Sequence, residues 1–312
     1  MKMGFVMDPV EQVNIREDTT FALMLAAQKR GWELFYIRPE DLEAHNDECF
    51  ATVCPVEVRA DPDDKVSFGE PSYMPLHQLD CVWMRKDPPF DELYLYQAHL
   101  LELAHNKGCL VLNEPDGLRR ANEKLYSLHF PQLIPATVVT RRADQIKQFI
   151  ADHDGRCVAK PLEGHGGEGV FVLDESDRNL NALIETSTDN ETRPVMCQRY
   201  LPEARQGDKR ILILDGEPLG AILRVPREHE HRSNIHVGGN VEKTTLTERE
   251  RHICETMGPR LVEDGLFFVG IDVIGDHLTE VNVTSPTGIQ EASRLDEVDY
   301  PDQVIQWVEE LT

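Results

Sequence analysis

The chain has no long hydrophobic run, no excess of positive charge and no paired cysteines. Each absence closes off a class of function. In 312 residues no apolar stretch approaches the ~20 needed to span a bilayer, and mean hydropathy is −0.41. Lys and Arg number 32 against 56 Asp and Glu, a formal net charge of −24. Nucleic acid and anionic membranes are therefore not expected as partners, and an anionic substrate would need a local basic cluster working against the global field. The seven cysteines are scattered, with only Cys49 and Cys54 close together and no second pair to complete a zinc site. That usage fits a reducing cytoplasm. The N-terminus (Met1 to Asp8) reads as a first strand, with no signal-peptide core. There is no internal repeat, no low-complexity tract, no Walker A sequence and no arrangement suggesting a Ser-His-Asp or Cys-His nucleophile.

What remains is an α/β (α+β) alternation. A strand from Met3 to Met7, a helix capped by Asp18 and ended by Gly31, and a strand from Trp32 to Ile37 make a βαβ unit. Residues 41–75, rich in Asp and Pro, read as irregular. A buried-type strand follows from Leu79 to Met84, with Arg85 and Lys86 at its carboxyl end, where open α/β sheets bind ligands. A helix from Glu92 to Lys107 and a strand from Cys109 to Leu112 complete a first lobe. Lys124 is placed on a following helical stretch with Arg119, Arg120, Asn122 and Glu123. Strand, helix and strand then come at Pro135–Thr140, Ala143–His153 and Arg156–Lys160.

Three later stretches carry chemistry. After Lys160, glycines at 164, 166, 167 and 169 form a loop that a second strand follows. A strand in that place excludes a dinucleotide fingerprint. Four glycines behind a strand-ending lysine favour backbone amides closing over a phosphate, against the plain reading of a turn. Next come a strand, Val195 to Leu201, and a hairpin from Gly207 to Arg224 that enters on Asp208-Lys209-Arg210. Arg224 ends an apolar strand and needs a partner, either a ligand anion or a structural carboxylate. Finally, the strands Phe267–Ile274 and Leu278–Val283 flank Gly275-Asp276-His277, read as a three-residue hairpin loop. That loop sets Asp272 opposite Glu280, with Asn282 on the same face and Ile271, Val273, Val281 and Val283 on the other. Facing carboxylates call for a cation, and these hard oxygens suit Mg²⁺; a solvated edge hairpin is the alternative. His229, His231 and His236 lie in a polar segment read as a substrate loop rather than a metal site.

In this order the motifs resemble those of the ATP-grasp carboxylate–amine ligases, most closely the bacterial glutathione synthetases. The resemblance rests on Met84-Arg85-Lys86-Asp87-Pro88-Pro89-Phe90-Asp91, Asn122-Glu123-Lys124-Leu125, Gly207-Asp208-Lys209-Arg210, Phe268-Val269-Gly270-Ile271-Asp272 and Thr279 to Thr287. It implies an ATP-grasp fold preceded by an N-terminal βαβ pre-ATP-grasp domain, divided 1–120, 121–193 and 194–312. It implies ATP as substrate, bound by Lys124, Lys160, Gly164, Gly166, Gly167, Gln198, Tyr200, Leu201 and Asp208. Mg²⁺, with Mn²⁺ as the alternative ion, would sit on Asp272, Glu280 and Asn282. Lys160, Arg210 and Arg224 would be catalytic, and Arg85, Lys86, Arg232, Gly238, Gly239 and Ser285 would serve γ-glutamylcysteine and glycine. The implied chemistry is ligation through an acyl phosphate in a cytoplasmic homotetramer. Departures from the family pattern, Glu163, His165 and the non-glycine Glu228, His229 and Ser233, leave open a ligase for a different carboxylate or amine. A nucleotide-binding regulator without catalysis is the third reading, and the intact lysines and hairpin oxygens argue against it.

Overall fold

Strand β1 (Lys2–Val6) is buried on both faces, as a strand sandwiched between helices must be. The computed structural model describes residues 1–164, 166–226 and 240–312. In chain order β1 is followed by α1 (Thr19–Lys29), β2 (Glu33–Ile37), β3 (Glu43–His45), β4 (Glu48–Val58), β5 (Val66–Phe68), β6 (Ser72–Pro75), β7 (Cys81–Met84), α2 (Glu92–His105), β8 (Leu110–Leu112) and α3 (Pro115–Arg120). The sheet runs β3-β4-β2-β1-β7-β8, with β5 and β6 also on β4. The strands β2, β1, β7 and β8 are mutually parallel. Asp18 caps α1 by accepting from the Phe21 amide, and Gly31 leaves the helix at φ +88°. Both were expected from sequence.

The segment 41–75 is not irregular. It contributes four strands, one of them the 11-residue β4. Its alternating burial is interrupted in sequence by Pro55, which lies opposite Phe35 of β2. A proline in mid-strand and the Asp/Pro-rich neighbours hide a period-2 pattern that tertiary pairing enforces.

The next unit comprises β9 (Thr137–Thr140), α4 (Ala143–Asp152), β10 (Arg156–Pro161), β11 (Phe171–Asp174), α5 (Leu180–Ser187) and β12 (Val195–Arg199). Its sheet is antiparallel, in the order β11-β10-β12-β9. The two helices cover one face over a core of its own, including Ile146, Ile150, Cys157, Leu173, Ile184 and Cys197. The sheet takes β12 from beyond the 193/194 division.

The remaining elements are β13 (Asp208–Leu214), β14 (Glu217–Val225), β15 (Asn240–Lys243), α6 (Glu248–Glu263), β16 (Phe268–Ile274), β17 (His277–Asn282), α7 (Ile289–Asp296) and α8 (Tyr300–Leu311). Their sheet runs β15-β14-β13-β16-β17. Its core joins that of the first lobe: Ile211, Val269, Ile271 and Val281 share one cluster with Val6, Met84 and Leu101. On the other side of the first sheet, Trp83 meets Phe268 edge-on at 6.0 Å. The hairpin carrying the candidate metal residues is therefore anchored to the first lobe.

Candidate active site

The β16–β17 turn is tighter than expected. Ile274 pairs with His277, so only Gly275 and Asp276 turn the chain, and Gly275 has φ +55°. A two-residue turn alone would set Asp272 opposite Thr279. A bulge between Asp272 and Val273 shifts the register by one and restores the pairing of Asp272 with Glu280. The faces divide as the alternation requires: Ile271, Val273, Val281 and Val283 are buried in the core. Asp272, Glu280 and Asn282 occupy the other face, and Asp272 and Glu280 line a cavity of about 420 Å³.

Two sheets enclose that cavity. From the small sheet, β10 supplies Lys160 and β12 supplies Gln198, with Tyr200 and Leu201 just beyond it. The glycines 164, 166 and 167 form one rim, and Gly166, Gly167 and Gly169 all have positive φ. Val158, Phe171, Val172, Leu201 and Ile274 give the cavity apolar lining, and Lys124, Lys160, Asp208, Asp272 and Glu280 bring charge to it. The form suits a ligand with a flat apolar part and an anionic tail.

Lys124 does not lie within a helix as expected. α3 stops at Arg120, and Lys124 precedes a tight turn at Leu125–His129. Its Nζ donates to Gly164 O at 2.5 Å and pairs with Glu280 at 2.9 Å. Lys160 Nζ donates to Gln198 Oε1 at 2.8 Å and to Thr279 O at 3.4 Å. Burial lowers the Lys160 pKa against the pull of Glu280, and the neighbouring Lys124 lowers it further. Both lysines thus lie at the glycine loop with their ammonium groups held near the cavity.

Behind the hairpin, alternation along β13 separates two neighbouring cations. Lys209 turns to α6 and pairs with Glu250 at 2.6 Å. Arg210 turns to Asp272, donating through Nε at 2.5 Å and Nη2 at 3.0 Å. The register sets Arg224 opposite Asp208, and its Nε donates to Asp208 Oδ1 at 2.5 Å while Nη2 lies 3.0 Å from Asp272 Oδ1. The partner that Arg224 required is therefore a pair of carboxylates. Burial opposes ionisation of Asp272, but Arg210 and Arg224 outweigh it and hold the carboxyl well below its usual range. Gly207 makes this approach possible: at φ +116°, a Cβ there would stand 2.6 Å from Arg224 O. Gly207→Ala should cost about 1–3 kcal/mol in a urea titration, and an unchanged midpoint would rule out that close approach.

Asn282 donates its amide hydrogens to Gly270 O at 3.2 Å and Asp272 Oδ2 at 3.3 Å, leaving its carbonyl oxygen as an acceptor. With Glu280 beside it and Asp272 sharing its oxygens with Arg210 and Arg224, the donor set is all hard oxygen and suits a divalent cation of the Mg²⁺ or Mn²⁺ kind. Among the described residues no three of His, Cys, Asp and Glu gather as an alternative centre.

Arg85 is buried away from the cavity. It donates to Thr20 Oγ1 at 2.9 Å and Pro286 O at 3.1 Å, with Phe268 under its guanidinium at 5.7 Å. Lys86 pairs with Asp8 at 3.0 Å. Arg119 and Arg120 pair with Asp116 and, for Arg119, Glu102, so that basic cluster serves the first lobe. Ser285 is half-buried in the segment after β17, which Arg85 grips at Pro286 and Arg210 at Thr287. His165, Arg232, Gly238, Gly239 and the histidines 229, 231 and 236 lie outside the described residues. Sequence reasoning gave no role to Asn122, Glu123, Glu168 or Thr279. Each lay in a stretch that carried a signal: Asn122 and Glu123 beside Lys124, Glu168 in the glycine loop and Thr279 beside Glu280.

Comparison with known proteins decides the family. The model of the prokaryotic glutathione synthetase N-terminal domain matches residues 1–119, and that of the same enzyme's ATP-grasp domain matches 123–297. The chain belongs to the prokaryotic glutathione synthetase family. A glutathione synthetase of Gloeobacter violaceus is 50% identical over 100% of this chain and 98% of its own length. One from Synechocystis is 47% identical over 99% of each. Among solved structures, a D-cycloserine synthetase superposes with a TM-score of 0.67 at 14% identity, covering 100% of both chains, a likeness of fold alone. The fold is that of a pre-ATP-grasp lobe followed by an ATP-grasp domain, as expected.

Proposed function

We propose that the cavity between the two sheets is where this family's reaction runs, with Lys124, Lys160 and the 164–169 loop on the phosphates of ATP. The chain is a ligase, and its activity is ATP-dependent synthesis of glutathione. The observation that carries the assignment is the meeting of Lys124, Lys160, Asp272 and Glu280 in one cavity that also has apolar lining. Val158, Phe171, Leu201 and Ile274 would take the purine, and Asp208 the ribose side. Asp272, Glu280 and Asn282 would hold Mg²⁺, with Mn²⁺ able to replace it. When bound, the ion neutralises charge on the phosphates and draws electrons from the transferring group.

The residues then account for a two-stage ligation. A carboxylate is a poor electrophile, so the cysteinyl carboxylate of γ-glutamylcysteine first takes the γ-phosphoryl group, giving an acyl phosphate and ADP. Lys124 and Lys160 offset the charge that moves in this step. The glycine amine then attacks the acyl carbon, and phosphate leaves with the C–O electrons while the amine loses its proton. Arg210 and Arg224, held by Asp272 and Asp208, would turn their remaining N–H groups to the tetrahedral oxyanion, and closure of the glycine loop would exclude the water that hydrolyses the acyl phosphate. Arg85, Lys86, Arg232, Gly238, Gly239 and Ser285 would serve the peptide and glycine, Arg85 by holding the 284–288 segment.

The same reading divides the chain into 1–120, a lid unit from 121, and a C-terminal lobe ending at 312. It sets the lid boundary past Arg199 rather than at 193, since β12 pairs with β9 and β10. All seven cysteines are free, and among the described residues no helix is long and apolar enough to cross a membrane. Both support a cytoplasmic enzyme, and the family supports a homotetramer.

The test is ADP release with Mg-ATP, γ-glutamylcysteine and glycine, each omitted in turn. ADP and glutathione should appear together only in the full mixture. Full-rate ADP release without γ-glutamylcysteine would overturn the acyl-phosphate order. A second expectation follows from the depressed Lys160. Phosphates restore its charge, so nucleotide binding should take up protons at pH values below the ordinary lysine pKa of 10.5. Calorimetry in buffers of different ionisation enthalpy reads this, and equal uptake in Lys160→Met would remove Lys160 from the phosphates.

A further inference from the structure

Glu123 touches no nucleotide in the reading above, yet it lies between the lid, the phosphate lysine and the metal hairpin. Its side chain is buried, and one oxygen, Oε1, accepts three hydrogen bonds. They come from Val283 N at 3.1 Å, Thr284 N at 3.2 Å and Thr284 Oγ1 at 2.8 Å. Its main-chain oxygen accepts from Val281 N at 3.0 Å. Val281 stands between Glu280 and Asn282, so Glu123 grips β17 on both sides of Asn282. The next residue, Lys124, reaches Glu280 at 2.9 Å. The preceding one, Asn122, accepts the Lys124 and Leu125 amides and donates to Leu162 O at 3.0 Å, just before the glycine loop.

A buried carboxyl is a costly way to tie down a loop, and burial together with the nearby Glu280 pushes its pKa up. An apolar filler would avoid that cost but leave two amides and a hydroxyl without an acceptor. What it could not supply is one acceptor that fixes two consecutive amides and a hydroxyl at a set distance from Lys124. We propose that Glu123 is a positioning residue that sets Glu280 and Asn282 against Lys124, so that the metal side and the lysine side of the nucleotide site keep one spacing. The proposal rests on the assignment of those three residues to ATP and its metal ion. The geometry makes Glu123 to the hairpin what a hydrogen-bonded partner is to a metal ligand: it orients the donor without touching the ion.

The experiment uses the full chain and a non-hydrolysable ATP analogue, AMPPNP, with binding measured by calorimetry with and without Mg²⁺. Hydrogen exchange at Val283 and Thr284 is followed alongside. Glu123→Ala should weaken Mg²⁺-dependent binding by about 10- to 100-fold, change metal-free binding far less, and expose both amides to exchange. Glu123→Gln, which keeps the acceptor, should bind within about threefold of the parent, being a conservative change at an orienting position. Glu123→Ala binding like the parent, or Glu123→Gln binding as poorly as Glu123→Ala, overturns the proposal. If Glu123→Ala does not fold, Thr284→Val carries the test through the lost hydroxyl. It should weaken binding about three- to tenfold, and no change overturns the proposal. Glu280→Ala is the control: if its Mg²⁺-dependent binding equals the parent's, the metal assignment fails, whatever Glu123 does.

Discussion

Asp272→Ala should be the most destabilising single change at the site. The carboxylate is buried, and it accepts from Arg210 at 2.5 and 3.0 Å with an Arg224 nitrogen also 3.0 Å away. Removing it leaves two buried guanidiniums short of a partner, Arg224 keeping only Asp208, and breaking a buried charge cluster costs about 3–5 kcal/mol. The pH dependence identifies the cause. The folded pKa lies below the ordinary 3.8, so the stabilisation is complete above that value and fades as pH falls through it toward the folded pKa. The gap in urea stability between parent and variant should therefore be constant from pH 7 to about 5 and narrow below about pH 4. A variant within about 1 kcal/mol of the parent at pH 7 would mean that the cluster carries little net stability.

Glu280→Ala should do the opposite, sparing the fold and abolishing the reaction. Its side chain is 24% exposed, and the buried Lys124 keeps its hydrogen bond to Gly164 O, so loss of the pair should cost less than the ~3–5 kcal/mol of a fully buried pair. In catalysis the loss would remove a proposed metal oxygen and free Lys124 from its alignment, and turnover should fall by at least about a hundredfold. Near-normal turnover with saturating Mg²⁺ would take Glu280 out of the metal site.

Much of this site is legible in the chain because it depends on short-range rules. Alternation alone puts Asp272, Glu280 and Asn282 on one face of two consecutive strands. The glycine loop is visible because its positive-φ positions need glycine. What alternation cannot give is the way the register is reached. A three-residue loop and a two-residue turn with a bulge both set Asp272 against Glu280, and only the fold distinguishes them. The same limit applies across elements. Asp208, Arg210, Arg224 and Asp272 form one cluster because β13, β14 and β16 pair in a particular register, which no local spacing encodes. Glu123 was hidden for that reason too: its partners lie about 160 residues away. The strands of 41–75 were missed because Pro55 breaks the pattern that pairing with β2 imposes. Lys209 shows how adjacency misleads, since its side chain leaves the site that its neighbour Arg210 enters.

In the proposed complex the oxygens of the β16–β17 hairpin and the lysines 124 and 160 hold the two sides of one Mg-ATP. A crystal structure of the enzyme with Mg²⁺ and AMPPNP tests it most directly. The ion should sit against Asp272, Glu280 and Asn282, and the analogue's phosphates against Lys124 and Lys160 under the 164–169 loop. Nucleotide bound elsewhere, or an ion coordinated without any oxygen of that hairpin, would contradict it.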